Sequence, residues 1–307
     1  MKITSRLERL AADALSESLD VRNMDLLVRS IDQYYDLYAS TGFPANVPIP
    51  KITAAKQIVS DIKNGNKFLQ LVERLVEYHY VGHMGRTYQI AYLREIVKEL
   101  RDQGLIYDTE NKIFVEDPAV RRTRNWGTLR DGDEHLFAFL RIDIVANTEL
   151  VKRHSADAVR ATYDDLRAIV VQAVERRNGR IWSWEGDGGL AAFFFGKKHL
   201  MATLGAMEIA HELFFYNLTR CRLDGALEVR VAVHSGQCQY AESIDDLQKS
   251  DTIRKLVEIE SQHTLPNTVS ISHATHVMLD ALIASRFAQI PGESRAMHYR
   301  YELCWEQ

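Results

Sequence analysis

The sequence has little cysteine, and its three cysteines are far apart. Cys221, Cys238 and Cys304 are an odd number and form no Cys-x-x-Cys pair. A disulfide framework and a cysteine-based zinc site are therefore excluded, and a reducing environment such as the cytoplasm is expected. The sequence also lacks a Gly-x-x-x-x-Gly-Lys-Ser/Thr loop, which excludes P-loop nucleotide chemistry.

Long apolar runs are absent as well. No uncharged stretch reaches the length of a membrane span, and charges among the first twenty residues argue against a secretory signal peptide. A large excess of one sign of charge is also lacking, because 38 Lys and Arg against 42 Asp and Glu give a net charge of −4. We therefore expect neither a membrane protein nor a protein that coats nucleic acid. The length of 307 residues and the 46% hydrophobic content indicate about two globular domains.

The first 125 residues predict a mainly helical domain. Apolar residues recur at helical spacing over residues 24–38, 68–80 and 88–100. Three of only six prolines lie within residues 44–50, which predicts an extended break between two helices. Two short apolar runs, at 105–107 and 113–115, predict a hairpin. Helices followed by a hairpin are compatible with a winged helix.

The pattern changes near residue 125. Residues 118–134 carry several charges, among them Arg121 and Arg122, and predict a solvated linker. Strands and helices then alternate in the predicted segments 136–145, 149–177, 180–185, 189–195, 198–218, 227–234, 268–272 and 298–304. Their order, strand-helix-strand-strand-helix-strand with additions, predicts an α+β fold with a ferredoxin-like antiparallel sheet over residues 126–307.

Two aspartates of this second domain are the main candidates for chemistry. Asp143 ends an apolar strand, where a carboxylate is costly without a partner or a metal ion, and Asp187 lies at the hairpin tip between two glycines. In a ferredoxin-like sheet the first strand lies beside this hairpin, so the two carboxylates can meet. Ala146, Asn147 and Thr148 form a strand-to-helix turn whose N–H groups can hold phosphate. Each aspartate alone also fits a structural role, as a helix cap or a hairpin turn.

Three sequence blocks carry a resemblance to a known family. They are Asp143-Ile144 with Thr148, Gly186-Asp187-Gly188 with Ala191 and Phe193, and Arg230-Val-Ala-Val-His-Ser-Gly236. In type, order and spacing they resemble the blocks of class III nucleotide cyclases, the adenylate and guanylate cyclase family. The resemblance covers residues 136–304 and leaves the helical first domain unassigned.

The resemblance implies a role for each matching residue. Asp143, Asp187 and the carbonyl of Ile144 would bind two divalent metal ions, Mn²⁺ or Mg²⁺, together with the nucleoside triphosphate substrate. Ala146, with Asn147 and Thr148 of the same turn, would contact phosphate. Arg230 would bind the triphosphate, with a structural ion pair as the alternative. The family's sites lie between two chains, which implies a homodimer with composite active sites.

The departures from the family pattern concern the base and the transition state. Ser183 stands where adenylate cyclases carry Lys and guanylate cyclases carry Glu, and its short hydroxyl cannot read a purine in the same way. The family's Asn-x-x-x-Arg pair falls on Arg254 and Glu258. A shift of one helical turn would make Arg254 the transition-state arginine, and a surface position is the alternative. Ala146 replaces a family glycine.

These departures resemble the pyrimidine cyclases of bacterial Pycsar anti-phage systems. The narrower resemblance implies a cytoplasmic enzyme that converts UTP, in preference to CTP, to the 3′,5′-cyclic nucleotide and pyrophosphate. It also implies a separate effector that the cyclic nucleotide activates. A purine cyclase making cyclic AMP or cyclic GMP, and a catalytically weak nucleotide sensor with the cyclase fold, remain alternatives. The near-neutral charge disfavours a DNA-binding regulator.

Overall fold

The chain divides into two compact units, residues 1–122 and 123–307, whereas the sequence places the boundary at residue 125. The structure is a computed structural model and describes residues 2–109, 111–120, 123–291 and 297–303. Arg121 and Arg122 of the predicted linker lie outside the described residues. Within the described ranges, no helix combines the length and the apolar character needed to cross a membrane.

The described part of the first unit is mainly helical and ends in a hairpin. Its elements are α1 (Ser5–Ser18), α2 (Val21–Arg29), α3 (Leu37–Thr41), α4 (Lys51–Asn64), α5 (Phe68–Tyr80), α6 (Leu93–Asp102), β1 (Leu105–Asp108) and β2 (Ile113–Glu116). Helix α5 has the predicted bounds, and β1 pairs with β2 in antiparallel register, which confirms the hairpin.

Two of the predicted helices in this unit have wrong bounds. The helix predicted over residues 24–38 ends at Arg29, and a new helix, α3, begins after Asp36. Asp36 caps α3 by accepting a hydrogen bond from the N–H of Ala39 at 3.0 Å, which favours a helix start over continuation. The helix predicted over residues 88–100 begins only after Tyr92, whose left-handed backbone (φ 57°) cannot belong to it.

The second unit is a sheet with helices. Its elements are β3 (Glu134–Ile144), α7 (Asn147–Arg153), α8 (Ala156–Glu175), β4 (Arg180–Glu185), β5 (Gly188–Phe193), α9 (Lys198–Thr219), β6 (Val229–Gln239), α10 (Ile244–Gln248), α11 (Asp251–His263), β7 (Thr268–Ser272), α12 (His273–His276), α13 (Ala281–Ala284), β8 (Ala288–Gln289) and β9 (His298–Glu302). The strand order is β4-β5-β3-β6-β7-β9-β8, and only β6 and β7 are parallel neighbours. Cys304, the end of the last predicted strand, lies outside the described residues.

The first four strands of this sheet follow the predicted topology. Their chain order is strand-helix-strand-strand-helix-strand and their spatial order is β4-β5-β3-β6, which confirms the α+β, ferredoxin-like fold class. Side chains alternate between the faces of β3. Leu140 and Ile142 pack in the core with residues of α8 and α9, whereas Arg141 faces Glu260 of α11 on the opposite side.

Three local predictions in this unit are wrong. The helix predicted over residues 149–177 is two helices, because Ser155 caps α8 by accepting from the N–H of Ala158. The strand predicted to stop at residue 234 continues through Gly236, where an added Cβ would lie 2.7 Å from Thr252 Oγ1. Trp126, placed in the linker by the sequence, is fully buried among Phe137, Trp182 and Phe194.

Candidate active site

Asp143 and Asp187 lie at the same edge of the sheet. Asp143 is the last residue of β3 that pairs with β5. It lies opposite Gly188 on β5 and opposite Arg230 on β6. Asp187 lies in the turn between β4 and β5, and its carbonyl accepts a hydrogen bond from the N–H of Ile144 at 3.2 Å. Both side chains are half-buried. A backbone hydrogen bond therefore joins the hairpin turn to Ile144, the residue that follows Asp143.

The room beside Asp143 depends on a glycine. A Cβ added to Gly188 would lie 3.2 Å from Asp143 Oδ1 and 2.8 Å from the carbonyl oxygen of Ile142. The bare backbone therefore leaves Asp143 Oδ1 open on the side of the hairpin that carries Asp187. Two carboxylates with open oxygens are suitable hard ligands for Mg²⁺ or Mn²⁺. They are only two, and among the described residues no group of three or more His, Cys, Asp or Glu forms a metal site. Remaining ligands would come from backbone carbonyls such as that of Ile144, and from a bound molecule.

Arg230 lies between two carboxylates. Its Nη2 donates to Asp143 Oδ2 at 2.7 Å, and its Nε is 2.7 Å from Glu260 Oε1. The structural ion pair considered from the sequence is therefore present. A guanidinium has five N–H donors, so these two contacts leave donors on Arg230 for a phosphate.

Glu260 belongs to this group, although the sequence reasoning did not select it. Its carboxylate is 3% exposed, forms an ion pair with Arg230, and accepts a hydrogen bond from Arg141 Nε at 3.2 Å. Burial raises the pKa of Glu260, and the two arginines oppose that change. A signal was available, because Ile253, Leu256 and Glu260 fall on one stripe of α11, which places a carboxylate on the buried face.

The predicted phosphate turn follows β3 directly. Ala146 has a left-handed backbone (φ 50°, ψ 37°) at the start of α7, a conformation that costs a residue with a Cβ about 1 kcal/mol relative to glycine. Asn147 begins α7, and its side chain is hydrogen-bonded to the hydroxyl of Tyr163 on α8. The first turn of a helix leaves backbone N–H groups without intrahelical acceptors, which here include those of Asn147 and Thr148.

Tyr163 connects this turn to the hairpin aspartate. Burial is the main cause that raises the pKa of Tyr163, and the negative charge of Asp187 raises it further, so the two side chains are electrostatically coupled. Nothing in the sequence pattern of α8 pointed to Tyr163. Its hydroxyl is hydrogen-bonded to the side chain of Asn147 and thereby joins the start of α7 to α8.

Ser183 lies on the same face of the sheet as Asp143. Strand β4 has a bulge between Ile181 and Ser183, beyond which Ser183 is opposite Leu190 and Trp184 opposite Gly189. Because Leu190 is paired with Arg141, alternation puts Ser183 on the Asp143 face and Trp184 on the other. Ser183 is half-buried. The structure therefore places Ser183 on the same face as Asp143, on the strand that precedes Asp187.

The two tryptophans beside Ser183 are packing residues. Trp182 is 2% exposed and packs against Phe137 and Phe139. Trp184 lies under the guanidinium of Arg167, 6.0 Å from its ring centroid. The bulge in β4 is what allows Trp182 and Ser183 to share one face.

Arg254 is not brought to the aspartates within one chain. It lies on the exposed side of α11, where it pairs with Asp251 of the same helix. Glu258, at the other family position, is also exposed. The surface position foreseen as the alternative for Arg254 is therefore its placement in a single chain, and a role for Arg254 at the aspartates requires a second chain.

The His-Ser pair of the third block is part of a buried polar network. His234 Nδ1 lies 2.8 Å from Ser272 Oγ, and Ser235 Oγ lies 2.7 Å from His199 Nδ1. Thr275 Oγ1 connects the two serines, at 3.0 and 3.1 Å. Burial is the main cause that lowers the pKa of both His199 and His234 to about 4. Both rings are therefore neutral at pH 7, and the network links β6 to α9 and the end of β7.

This network predicts a loss of stability in mild acid. His199 and His234 have an ordinary pKa of 6.5 when unfolded and about 4 when folded, so the unfolded chain binds their protons first. The free energy of unfolding should fall as the pH drops from about 6.5 to 4, by up to about 1.4 kcal/mol per histidine and pH unit. Urea unfolding between pH 7.5 and 5 measures this. His234→Gln should flatten the slope, the exposed His211→Gln should not, and an unaltered slope in His234→Gln would contradict the assignment.

Several solved structures are similar to this chain. The guanylyl cyclase domain of the RhoGC fusion protein from the fungus Blastocladiella emersonii is 18% identical, with a TM-score of 0.47, over 55% of this chain and 97% of that one. The guanylate cyclase domain of RhGC from Catenaria anguillulae, in complex with GTP, has 18% identity and a TM-score of 0.46 over 55% and 97%. The adenylyl cyclase CyaB from P. aeruginosa is 19% identical, with a TM-score of 0.46, over 57% of this chain and 97% of that one. No protein-family model and no curated protein matches the chain. Similarity at this level says nothing about activity or substrate.

Proposed function

We propose that this chain is a metal-dependent nucleotide cyclase. The observation that carries the proposal is the meeting of Asp143 and Asp187 at one sheet edge, fastened by the Ile144 to Asp187 backbone bond. The resemblance of the three sequence blocks to class III cyclases supports the same assignment. The reaction forms a bond between the ribose 3′-oxygen and the α-phosphorus, breaks the bond to the β-phosphate, and releases pyrophosphate and a proton.

The roles proposed for the side chains are those that the resemblance implies. Asp143, Asp187 and the carbonyl of Ile144 would hold two Mg²⁺ or Mn²⁺ ions, which would supply a lowered pKa of the 3′-hydroxyl and positive charge beside the pyrophosphate. Arg230, kept in place by Asp143 and Glu260, directs its remaining N–H donors at the triphosphate. The N–H groups of the 146–148 turn hold phosphate beside them.

A homodimer belongs to this proposal. Arg254 is exposed on α11 and paired only with Asp251 among its described contacts, so one chain does not bring Arg254 to its own aspartates. A second copy arranged head to tail would bring Arg254 to the aspartates of its partner. Mixing an Asp143→Asn chain with an Arg254→Ala chain tests this arrangement, because each mixed dimer retains one complete site.

The proposed substrate is a pyrimidine triphosphate, UTP in preference to CTP. Ser183 supports this choice, since its hydroxyl lies on the Asp143 face and can either donate to O4 of uracil or accept from N4 of cytosine. The narrower resemblance further supports a cytoplasmic role in anti-phage defence, with a separate effector that the cyclic nucleotide activates.

Incubation with each of the four nucleoside triphosphates and Mn²⁺, followed by chromatographic separation, tests the proposal. Cyclic UMP should be the main product, with less cyclic CMP and little cyclic purine. Cyclic AMP or cyclic GMP as the main product would support the proposed cyclase activity but contradict the proposed pyrimidine substrate. Nucleotide binding without any cyclic product would contradict the enzyme and favour the sensor with the same fold.

A further inference from the structure

The first unit contains a cavity that the proposed reaction does not use. It has a volume of about 880 Å³ and lies between the end of α5, the segment before α6, the outer side of α6 and the β1–β2 hairpin. Its apolar lining includes Val76, Ile90, Leu93, Val97 and Tyr107. Cavities that hold small ligands commonly have volumes of about 300–1,000 Å³ and a mainly apolar wall.

Four cations surround this apolar wall. Arg94, Lys98 and Arg101 lie on α6 at spacings of four and three residues, which places them along one side of the helix. Lys112, at the hairpin turn, contributes a fourth charge from another element. Within the part of the chain that the structure describes, none of the four forms an ion pair or a side-chain hydrogen bond.

The acidic groups at the cavity do not neutralise these cations. Glu77 is already paired with Arg74 of its own helix, and Glu95 is the other carboxylate of the lining. The lining is therefore clearly positive, although residues 1–122 as a whole carry 17 Lys and Arg against 17 Asp and Glu. Positive charge is concentrated at this cavity in a unit whose total charge is zero.

His79 adds an oriented donor. Its Nδ1 accepts a hydrogen bond from the N–H of Ile90 at 3.1 Å, which assigns the ring proton to Nε2 in the neutral form. His79 lines the cavity and is half-buried. With Nδ1 used as an acceptor, Nε2 of His79 carries the N–H of a residue in the cavity lining.

We propose that this cavity binds a nucleoside polyphosphate. The α6 cations, from Arg94 to Arg101, span about 10 Å along the helix axis at 1.5 Å per residue. A row of that length fits a chain of phosphates better than a single carboxylate. The apolar wall, with Tyr107, Tyr80 and Tyr92 in the lining, provides surface for a flat ring. Duplex DNA fits less well, because its binding is dominated by phosphate contacts along the duplex, and this lining offers only four cations at a cavity.

Binding to the full chain in EDTA tests the proposal, measured by calorimetry with ATP, UTP and inorganic triphosphate as probes. Omitting divalent metal disables the site at Asp143 and Asp187, so the result does not depend on the reaction proposed for the second unit. A nucleoside triphosphate should bind with saturation. Lys98→Ala with Arg101→Ala should weaken its binding about tenfold or more. The matched pair Lys51→Ala with Lys56→Ala, exposed on α4 away from the cavity, should not.

Three results would overturn the proposal. If the two double variants bind the nucleoside triphosphate with equal affinity, and both unfold at the temperature of the parent chain, the α6 cations do not contribute to nucleotide binding. Inorganic triphosphate binding as tightly as the nucleotides would show that the apolar wall receives no ring. Tight binding of a short DNA duplex that Lys98→Ala with Arg101→Ala abolishes, without nucleotide binding, would make this a nucleic-acid surface.

Discussion

Changing Asp143 or Asp187 to asparagine is expected to reduce cyclic-nucleotide formation by about 10³-fold or more while the chain stays folded. An amide is a weaker ligand for Mg²⁺ or Mn²⁺ than a carboxylate, and loss of a metal removes several kcal/mol of transition-state stabilisation. Each 1.4 kcal/mol corresponds to about tenfold in rate. Asp143→Asn also weakens a partly exposed ion pair with Arg230, which costs about 1 kcal/mol of stability.

The matched control for these variants is Asp224→Asn. The Asp224 side chain is fully exposed and lies 3.9 Å from His154, so its loss should change neither turnover nor unfolding. Binding of Mn²⁺ without nucleotide provides a second readout and should weaken in Asp143→Asn and Asp187→Asn alone. More than about one-tenth of the parent activity in either aspartate variant would show that the carboxylate is not a metal ligand.

The parts of the fold that the sequence predicted correctly depend on neighbouring residues. The hairpin around Asp187 has the predicted first strand and tip because β-rich runs flank two glycines, a signal contained within fifteen residues or so. Strand β7 has the predicted bounds for a similar reason, since its run of five buried residues is apolar or small. The placement of Asp143 beside this hairpin then followed from the topology of the fold class.

The parts that the sequence did not predict depend on distant residues. Trp126 is predicted to lie in a linker because its sequence neighbours are polar. In the structure it packs against Phe137 of β3 and Trp182 of β4. Gly236 is interpreted from the sequence as a strand end, yet β6 continues because its residues stay paired with β3 as far as Gln239. Glycine is needed there because a Cβ would clash with Thr252 of α11. Glu260 was overlooked because a carboxylate on an apolar helix stripe becomes meaningful only once Arg141 and Arg230 are known to face it.

Glu260 holds the two arginines of the candidate active site, Arg141 and Arg230, in place. Its buried carboxylate is shared by Arg230 and Arg141, whose side chains are 26% and 32% exposed. Without that carboxylate, Arg230 would be held by Asp143 alone. The guanidinium would then compete more strongly with a metal ion for the same oxygens. Glu260 is therefore a positioning residue for Arg230 and, through it, for Asp143.

We accordingly expect Glu260→Gln to lower the free energy of unfolding by about 3 kcal/mol, toward the low end for a broken buried ion pair because water reaches both arginines. It should also raise the Mn²⁺ concentration for half-maximal turnover several-fold. Denaturant unfolding and metal titration of the rate measure the two effects, and the exposed Glu258→Gln on the same helix is the matched control. Adding Arg141→Gln to Glu260→Gln should recover part of the stability, because the uncompensated charge beside the amide is removed. If Glu260→Gln matches Glu258→Gln in both measurements, Asp143 alone positions Arg230 and the buried carboxylate has no part in the site.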